Sequence, residues 1–355
     1  MVSAIMSCGT GELGYTVSVC PQCQGAQIRG DTCGNRNCPS CGLTRQIQWR
    51  AQREAEHIYG IPYYHVVFTL PHLLTDLIIQ NQKSLLDLLF RSASRSMLDL
   101  CGEKHGMTPG IVMVLHTCEG NMLPHYHIHC LISEGGYSDD GFWRNVKHFN
   151  YTFLRNAFRT ALLNEMETYL GPSFKKIKAS CYKNHKYGFY VYAKPNKCDP
   201  KTVTKYVGRY LGRPVIATSR IDKYDGDTVS FHYNRHEDDK YVKETVPVLD
   251  FIERLIRHIP EKHFKMIRYG GIYARHREID KKLVRAISRE KHPLYCGFNK
   301  WRAAILHAFG YDPLQCPECG STMLFLELYY RHKRVSLKDM YEKVMSRSRG
   351  KWAFT

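Results

Sequence analysis

Residues 124–132 read Pro124-His125-Tyr126-His127-Ile128-His129-Cys130-Leu131-Ile132, and the alternation in this stretch decides the fold. In a strand, alternate side chains share a face, so His125, His127 and His129 project together. Two imidazoles spaced in this way reach one divalent ion. His116 lies eleven residues before His127 on the expected partner strand and offers a third nitrogen from across the sheet. Three neutral imidazoles with open positions make a catalytic rather than a closed metal site, suited to polarising a phosphate oxygen during an in-line displacement. A lone histidine among the eighteen of this chain reads as an ordinary polar-face residue. Three alternating on one apolar strand read as ligands.

Outward from that strand the pattern is mixed. Ile111–Thr117 forms the other arm of a hairpin turning at Glu119-Gly120-Asn121, and Tyr63–Leu70 is a β-branched, aromatic strand closed by Pro71. Residues 73–100 carry leucines at helical spacing, and Phe149–Leu170 is helical, stopped by Gly171-Pro172. Tyr187–Ala193 and Thr228–Tyr233 read as strands; Thr44–Ile58, Thr202–Leu211, Val248–His258 and Ile279–Arg289 read as helices. Strands interleaved with helices, with one hairpin among them, predict an α+β fold with a mainly antiparallel sheet.

Lys205-Tyr206-Val207-Gly208-Arg209-Tyr210-Leu211-Gly212-Arg213 places two tyrosines at i and i+4, stacked on one helix face. Lys205, Arg209 and Arg213 repeat at the same spacing on a neighbouring stripe suited to gripping phosphates. A phenol with a pKa of ~10 is a poor nucleophile near neutrality and needs a nearby metal or basic side chains. On the helix alone, Tyr206 and Tyr210 read as core aromatics; beside a histidine metal site they read as nucleophiles.

Cys20-x2-Cys23 and Cys38-x2-Cys41, fourteen residues apart, have the spacing of two knuckles converging four thiolates on zinc. Two readings stand for Cys8 and Cys33: free buried thiols, or ligands of a second zinc. Cys316-x2-Cys319 is a further knuckle without a following pair, so it is either a turn or part of a zinc site with distant cysteines such as Cys296. Closed cysteine sites are structural, so the chemistry belongs to the histidine strand.

Lysine and arginine outnumber acidic residues 51 to 33, giving a net charge of +18 and a field that attracts nucleic acid. The sequence has no run of about 18 apolar residues, so no membrane partner is expected. The start lacks a basic and an apolar signal region, which together with fourteen cysteines points to metal binding in a cytoplasmic chain.

Taken in order, the cysteine-rich start with Asn35-Arg36-Asn37-Cys38-Pro39, His65-Val66-Val67-Phe68-Thr69-Leu70-Pro71, Leu115-His116-Thr117, the His-x-His strand, Tyr-x-x-x-Tyr, Phe251-Ile252-x-Arg254 and Ile267-Arg268-Tyr269-x-Gly271 resemble the IS91-type rolling-circle transposases of the HUH endonuclease superfamily. The resemblance runs from about Cys8 to at least Tyr273. It implies an HUH-type antiparallel sheet flanked by helices, and Mg²⁺ or Mn²⁺ held by His116, His127 and His129. It also implies paired nucleophiles at Tyr206 and Tyr210 that cleave single-stranded DNA, keep the 5′-phosphate and free a 3′-OH. The DNA partners would be single-stranded or hairpin transposon ends and target DNA. Family members often carry more chain before the position of Cys8, which implies a shortened start here.

The domain plan that follows is a zinc module over 1–50, a catalytic domain over 55–215, a part packing against it over 216–295, and a knuckle-bearing segment over 296–355. Two other functions remain open: the same chemistry in a replication initiator or relaxase, and a non-catalytic zinc protein that binds DNA. The sequence carries no Gly-x4-Gly-Lys-Ser/Thr stretch, which counts against a relaxase with its own helicase. A DNA-binding module would leave the three histidines and both tyrosines without a role.

Overall fold

The computed structural model describes residues 2–35, 62–146, 149–193, 215–235, 238–261, 264–274, 301–330 and 332–336, with 38, 40–42, 44, 47, 48 and 338 singly. Its elements run α1 (Val2–Met6), β1 (Gly14–Val19), β2 (Ala26–Gly30), β3 (Tyr63–Thr69), α2 (Thr75–Gln80), α3 (Gln82–His105), β4 (Thr108–Cys118) and β5 (Pro124–Tyr137). They continue with β6 (Trp143–Asn145), α4 (Tyr151–Leu170), α5 (Lys175–Asn184), β7 (Val191–Ala193), β8 (Ile221–Tyr224), β9 (Thr228–Asn234) and β10 (Tyr241–Pro247). Last come α6 (Val248–Arg257), β11 (Ile267–Gly271), α7 (Trp301–Phe309), β12 (Leu324–Tyr330) and β13 (Lys333–Arg334). The chain separates into two compact units, residues 53–292 and residues 1–52 together with 293–355.

The larger unit holds an antiparallel sheet in the order β11-β4-β5-β3-β7, with β6 pairing β5. The period-2 alternation of its strands sorts their side chains to two faces. Tyr64, Val66 and Phe68 of β3, Ile111, Met113 and Leu115 of β4, and Ile128, Cys130 and Ile132 of β5 all enter one buried core. Leu85, Leu89, Ala93, Met97 and Leu100 of α3 and Leu154, Phe158, Leu162 and Met166 of α4 cover that face. Phe68 meets Phe158 edge-on with ring centroids 4.9 Å apart. Removing either fully buried ring costs about 3–5 kcal/mol. The other face carries the histidines.

Local chemistry sets the limits of these helices. Asn150 caps α4 by accepting a hydrogen bond from the Phe153 amide at 3.0 Å. Helix α3 ends at Gly106, whose φ of +56° supplies the left-handed turn that a Cβ would oppose. The one or two helices expected over 73–100 are two, α2 and α3, and the expected strand at 187–193 shortens to β7. Residues before β7 turn instead: the Gly188 amide donates to the His185 carbonyl at 3.0 Å, and the Phe189 amide to the Arg155 carbonyl at 3.3 Å. The helices expected at 202–211 and 279–289 lie outside the described residues, as does most of the one expected at 44–58.

Within the same unit β8, β9 and β10 form a small antiparallel sheet. Val229, Phe231 and Val246 pack with Phe251 of α6 and Ile216. The smaller unit is built on a sheet in the order β13-β12-β1-β2, so strands from the two ends of the chain lie side by side. Among the described residues no helix is long and apolar enough to cross a membrane.

Candidate active site and cysteine clusters

In the register of the central hairpin His116 of β4 stands directly opposite His127 of β5, and Val114 opposite His129. Opposed residues of an antiparallel pair share a face, so His116 joins His127 and His129 on the side away from the apolar core. One donor atom from each of the three lies within 4.8 Å of the others. Burial, then repulsion from His125 and His258, pushes the His116 pKa down to about 4. Burial, then His116 and His65, pushes His129 down to about 3. Burial followed by the neighbouring rings holds His127 well below its ordinary value. All three are therefore neutral at pH 7, the state in which imidazole offers a lone pair. As a donor set, three neutral imidazoles fit a divalent cation.

The tautomer of His127 follows from its neighbours. A carbonyl only accepts, so His127 donates through Nδ1 to the His125 carbonyl oxygen at 3.1 Å, which leaves the lone pair on Nε2. That Nε2 lies 3.0 Å from His116 Nδ1. His65 of β3, to which the sequence reading gave no role, sits 3.0 Å through Nε2 from His129 Nδ1 and is itself buried. It occupies the place of the outer partner that commonly orients a metal-bound histidine. In the sequence it is a polar ring at an alternate position of an apolar strand and the first residue of the His65–Pro71 stretch that carries the family resemblance.

The turn feeding β5 is held from outside the central sheet. Arg220 donates to the Gly120 carbonyl, Arg254 to the Asn121 carbonyl at 3.1 Å, and His258 through Nε2 to the Met122 carbonyl at 2.8 Å. Three consecutive carbonyls of the turn thus meet side chains of the β8–β10 region, and Met122 itself is buried in the core of that region. Arg254 also pairs with Glu244 at 2.8 Å.

Eight cysteines form two clusters of four, and the grouping differs from the sequence expectation. Cys20 and Cys23 meet Cys316 and Cys319; Cys38 and Cys41 meet Cys8 and Cys33. The expected set of Cys20, Cys23, Cys38 and Cys41 is thereby corrected. The cause is sheet pairing. Strand β1 ends at Val19, opposite Leu324 of β12, so the knuckle following β1 and the knuckle preceding β12 come out at the same edge. The two knuckles share a backbone pattern: Gln24 N–H donates to the Cys20 carbonyl at 2.9 Å, and Gly320 N–H to the Cys316 carbonyl at 3.0 Å. Each then turns through a left-handed residue, Gln24 (φ +60°) and Gly320 (φ +75°).

Sulfur separations are 3.4 Å for Cys20–Cys319, 3.6 Å for Cys23–Cys316, 3.6 Å for Cys8–Cys41 and 3.7 Å for Cys33–Cys41. Tetrahedral zinc–sulfur bonds of ~2.3 Å require sulfurs about 3.8 Å apart, so the donor chemistry and the spacing fit zinc in both clusters. Hydrogen bonds from Ser321 lower the Cys319 pKa to about 6 and those led by the Cys41 amide lower Cys38 to about 7, so each cluster holds one readily ionised thiol, whereas Cys8 and Cys23 are raised to about 12 in the absence of a cation. Tyr206, Tyr210, Lys205, Arg209 and Arg213 lie outside the described residues, as does Cys296.

Residues 110–280, which contain the histidine hairpin, match a family model described as "Putative transposase", and residues 1–70 match one described as "Transposase zinc-binding domain". The class is therefore that of a transposase carrying its own zinc-binding domain. The transposase for insertion sequence element IS801 of Pseudomonas savastanoi pv. phaseolicola is 31% identical over 349 residues, covering 91% of this chain and 82% of that protein. "Putative transposase y4qJ" of Sinorhizobium fredii is 30% identical over 360 residues, covering 93% and 89%. The chain belongs to the IS91-type transposase family. A solved conjugative relaxase, TRWC in complex with ORIT DNA, aligns over 43% of this chain and 64% of its own at 14% identity, with a TM-score of 0.25 that is too slight to argue from.

Proposed function

We propose that this transposase cleaves and rejoins single-stranded DNA through a tyrosine–phosphate intermediate, with HUH chemistry at His116, His127 and His129. The observation that carries the reading is the neutral histidine triad on the open face of the sheet, half-buried at His116 and His127 and buried at His129, its donor atoms within 4.8 Å of one another. When bound there, Mg²⁺ or Mn²⁺ would polarise a non-bridging phosphate oxygen and offset the charge of the displacement. His65 orients His129, and the His125 carbonyl orients His127.

Tyr206 and Tyr210 act as the nucleophiles in this reading. The phenolic oxygen of one attacks phosphorus, its bond to the 5′-phosphate forms, the bond from phosphorus to O3′ breaks, and the leaving strand takes a proton as a 3′-OH. The phosphotyrosine conserves the energy of the phosphodiester, so rejoining needs no nucleotide cofactor. The second tyrosine permits another exchange before the first is resolved. Lys205, Arg209 and Arg213 grip the DNA backbone. The two cysteine clusters each hold a structural Zn²⁺, supported by the zinc-binding family match and by their sulfur spacing. Rolling-circle movement of single-stranded or hairpin element ends is the biological form this chemistry takes.

End-labelled single-stranded oligonucleotides from the element's termini test the reading, incubated with Mg²⁺, Mn²⁺ or EDTA. Cleavage that requires the cation and is lost in His127→Ala/His129→Ala protein is expected. Binding to several ends with no cleavage in either cation would instead make the protein a zinc-containing DNA-binding module.

A further inference from the structure

Beside the histidine triad lies a second group whose side chains the proposed chemistry does not use. His72 opens a short 3-10 turn after Pro71, Glu119 is the first residue beyond β4, and His125 is the second residue of β5. One donor atom of each lies within 4.8 Å of the other two. His125 Nδ1 is 3.1 Å from a Glu119 carboxylate oxygen, and the His72 and His125 rings are tilted at 53° with centroids 5.9 Å apart. We propose that His72, Glu119 and His125 form a second divalent-cation site, separate in its ligands from the triad of His116, His127 and His129.

Three features support a binding site over a surface ion pair. First, the residues come from three separate segments, and a strand irregularity brings them together. His116 opposes His127 but Cys118 opposes Pro124, so β5 has one more residue than β4 in this interval. Such a bulge re-aims a side chain and is a recurrent device beside functional sites. Here it sets His125 beside Glu119 at the mouth of the hairpin.

Second, a carboxylate needs one imidazole to make a pair, and this one has two. Two histidines and one carboxylate on one side, with the remaining positions open, form the facial set that binds first-row transition metals. Nitrogen-rich donors favour Zn²⁺, Ni²⁺, Co²⁺ or Cu²⁺ over Mg²⁺. His72 and Glu119 are exposed, so a cation would keep open positions toward solvent.

Third, the group is tied to the catalytic triad. The His125 carbonyl accepts from His127 Nδ1, and the His125 and His127 rings lie 5.0 Å apart. A cation on the His125 side chain would fix the residue that sets the His127 tautomer. Binding itself does not depend on strand cleavage and is tested without it.

The zinc-loaded full chain would be dialysed against Ni²⁺, with nickel and zinc per chain counted by mass spectrometry. His72→Asn/Glu119→Gln protein would run alongside; both residues are exposed, so the fold tolerates the changes. The variant is expected to bind one Ni²⁺ fewer per chain, with unchanged zinc and an unchanged melting temperature in the absence of nickel. The single Glu119→Gln change is expected to weaken that equivalent about tenfold or more, the order seen when a ligand's support is lost. An unchanged nickel count and affinity in the double variant overturns the proposal. Loss of DNA cleavage activity in some other experiment would leave this result untouched.

Discussion

Met122 combines two conditions that rarely coincide: it is fully buried and its φ is +62°. A side chain with a Cβ in the left-handed region costs about 1–2 kcal/mol, so something must hold it there. The hold is visible. The side chain fills the core formed by Ile216, Val229, Phe231, Val246 and Phe251, and the Met122 carbonyl accepts from His258 at 2.8 Å. Replacing Met122 by Ala removes the packing and keeps the strain, for a loss of about 2–5 kcal/mol. Replacing it by Gly removes the packing and the strain together. Against the left-handed penalty stands the extra unfolded-state freedom of glycine, about 0.5–1 kcal/mol. Met122→Gly should therefore be about 0.5–1 kcal/mol more stable than Met122→Ala, the reverse of the usual order within regular structure. In a unit of this size 1 kcal/mol moves the melting temperature by about 2–4 °C, so Met122→Ala should fall by roughly 4–20 °C. Thermal unfolding of the full-length variants by circular dichroism, with calorimetry to assign the transition, measures both quantities. A Met122→Ala protein that melts like wild type, or a glycine variant below the alanine one, refutes the packing account of the turn.

The cysteine grouping gives a sharper count: Cys316→Ser/Cys319→Ser should lower bound zinc by one per chain, and adding Cys38→Ser/Cys41→Ser should remove the second. Retention of all zinc in the first variant would restore the set expected from sequence spacing. The metal-free protein should also lose stability in acid. His116 and His129 are held down to about 4 and about 3, whereas an unfolded imidazole titrates near ~6.5. Between these values the unfolded chain binds more protons than the folded one. Stability is thus present above pH 6.5 and falls as pH drops toward 4. Urea midpoints in EDTA at pH 7.5 and 5.0 should show this, and a midpoint that rises on acidification would contradict it.

The histidine sheet was legible because its signal is local. Alternation in β5 fixes which side chains share a face, and a turn of a few residues fixes the register that sets His116 against His127. The apolar positions of α3 and α4 mark the face they cover in the same local way. What the sequence concealed depends on long-range pairing. Cys20 finds Cys319 because β1 pairs with β12, and nothing near either residue in the sequence encodes that neighbour. His65 is a single polar ring on an apolar strand, and only the pairing of Val67 with His129 places it beside the triad. Likewise, Arg220, Arg254 and His258 look like surface charges until the small sheet brings them to the hairpin turn.

In the proposed function a tyrosine forms the covalent bond that breaks the DNA strand, while His116, His127 and His129 would hold the cation. The most direct measurement is to trap the reaction of the full-length protein with single-stranded element ends and Mg²⁺ or Mn²⁺, digest it, and map the modified residue by mass spectrometry. A 5′-phosphonucleotide on Tyr206 or Tyr210 is expected, absent in EDTA and in His127→Ala/His129→Ala protein. Cleavage that leaves no protein–DNA adduct, or an adduct on another residue, would contradict it.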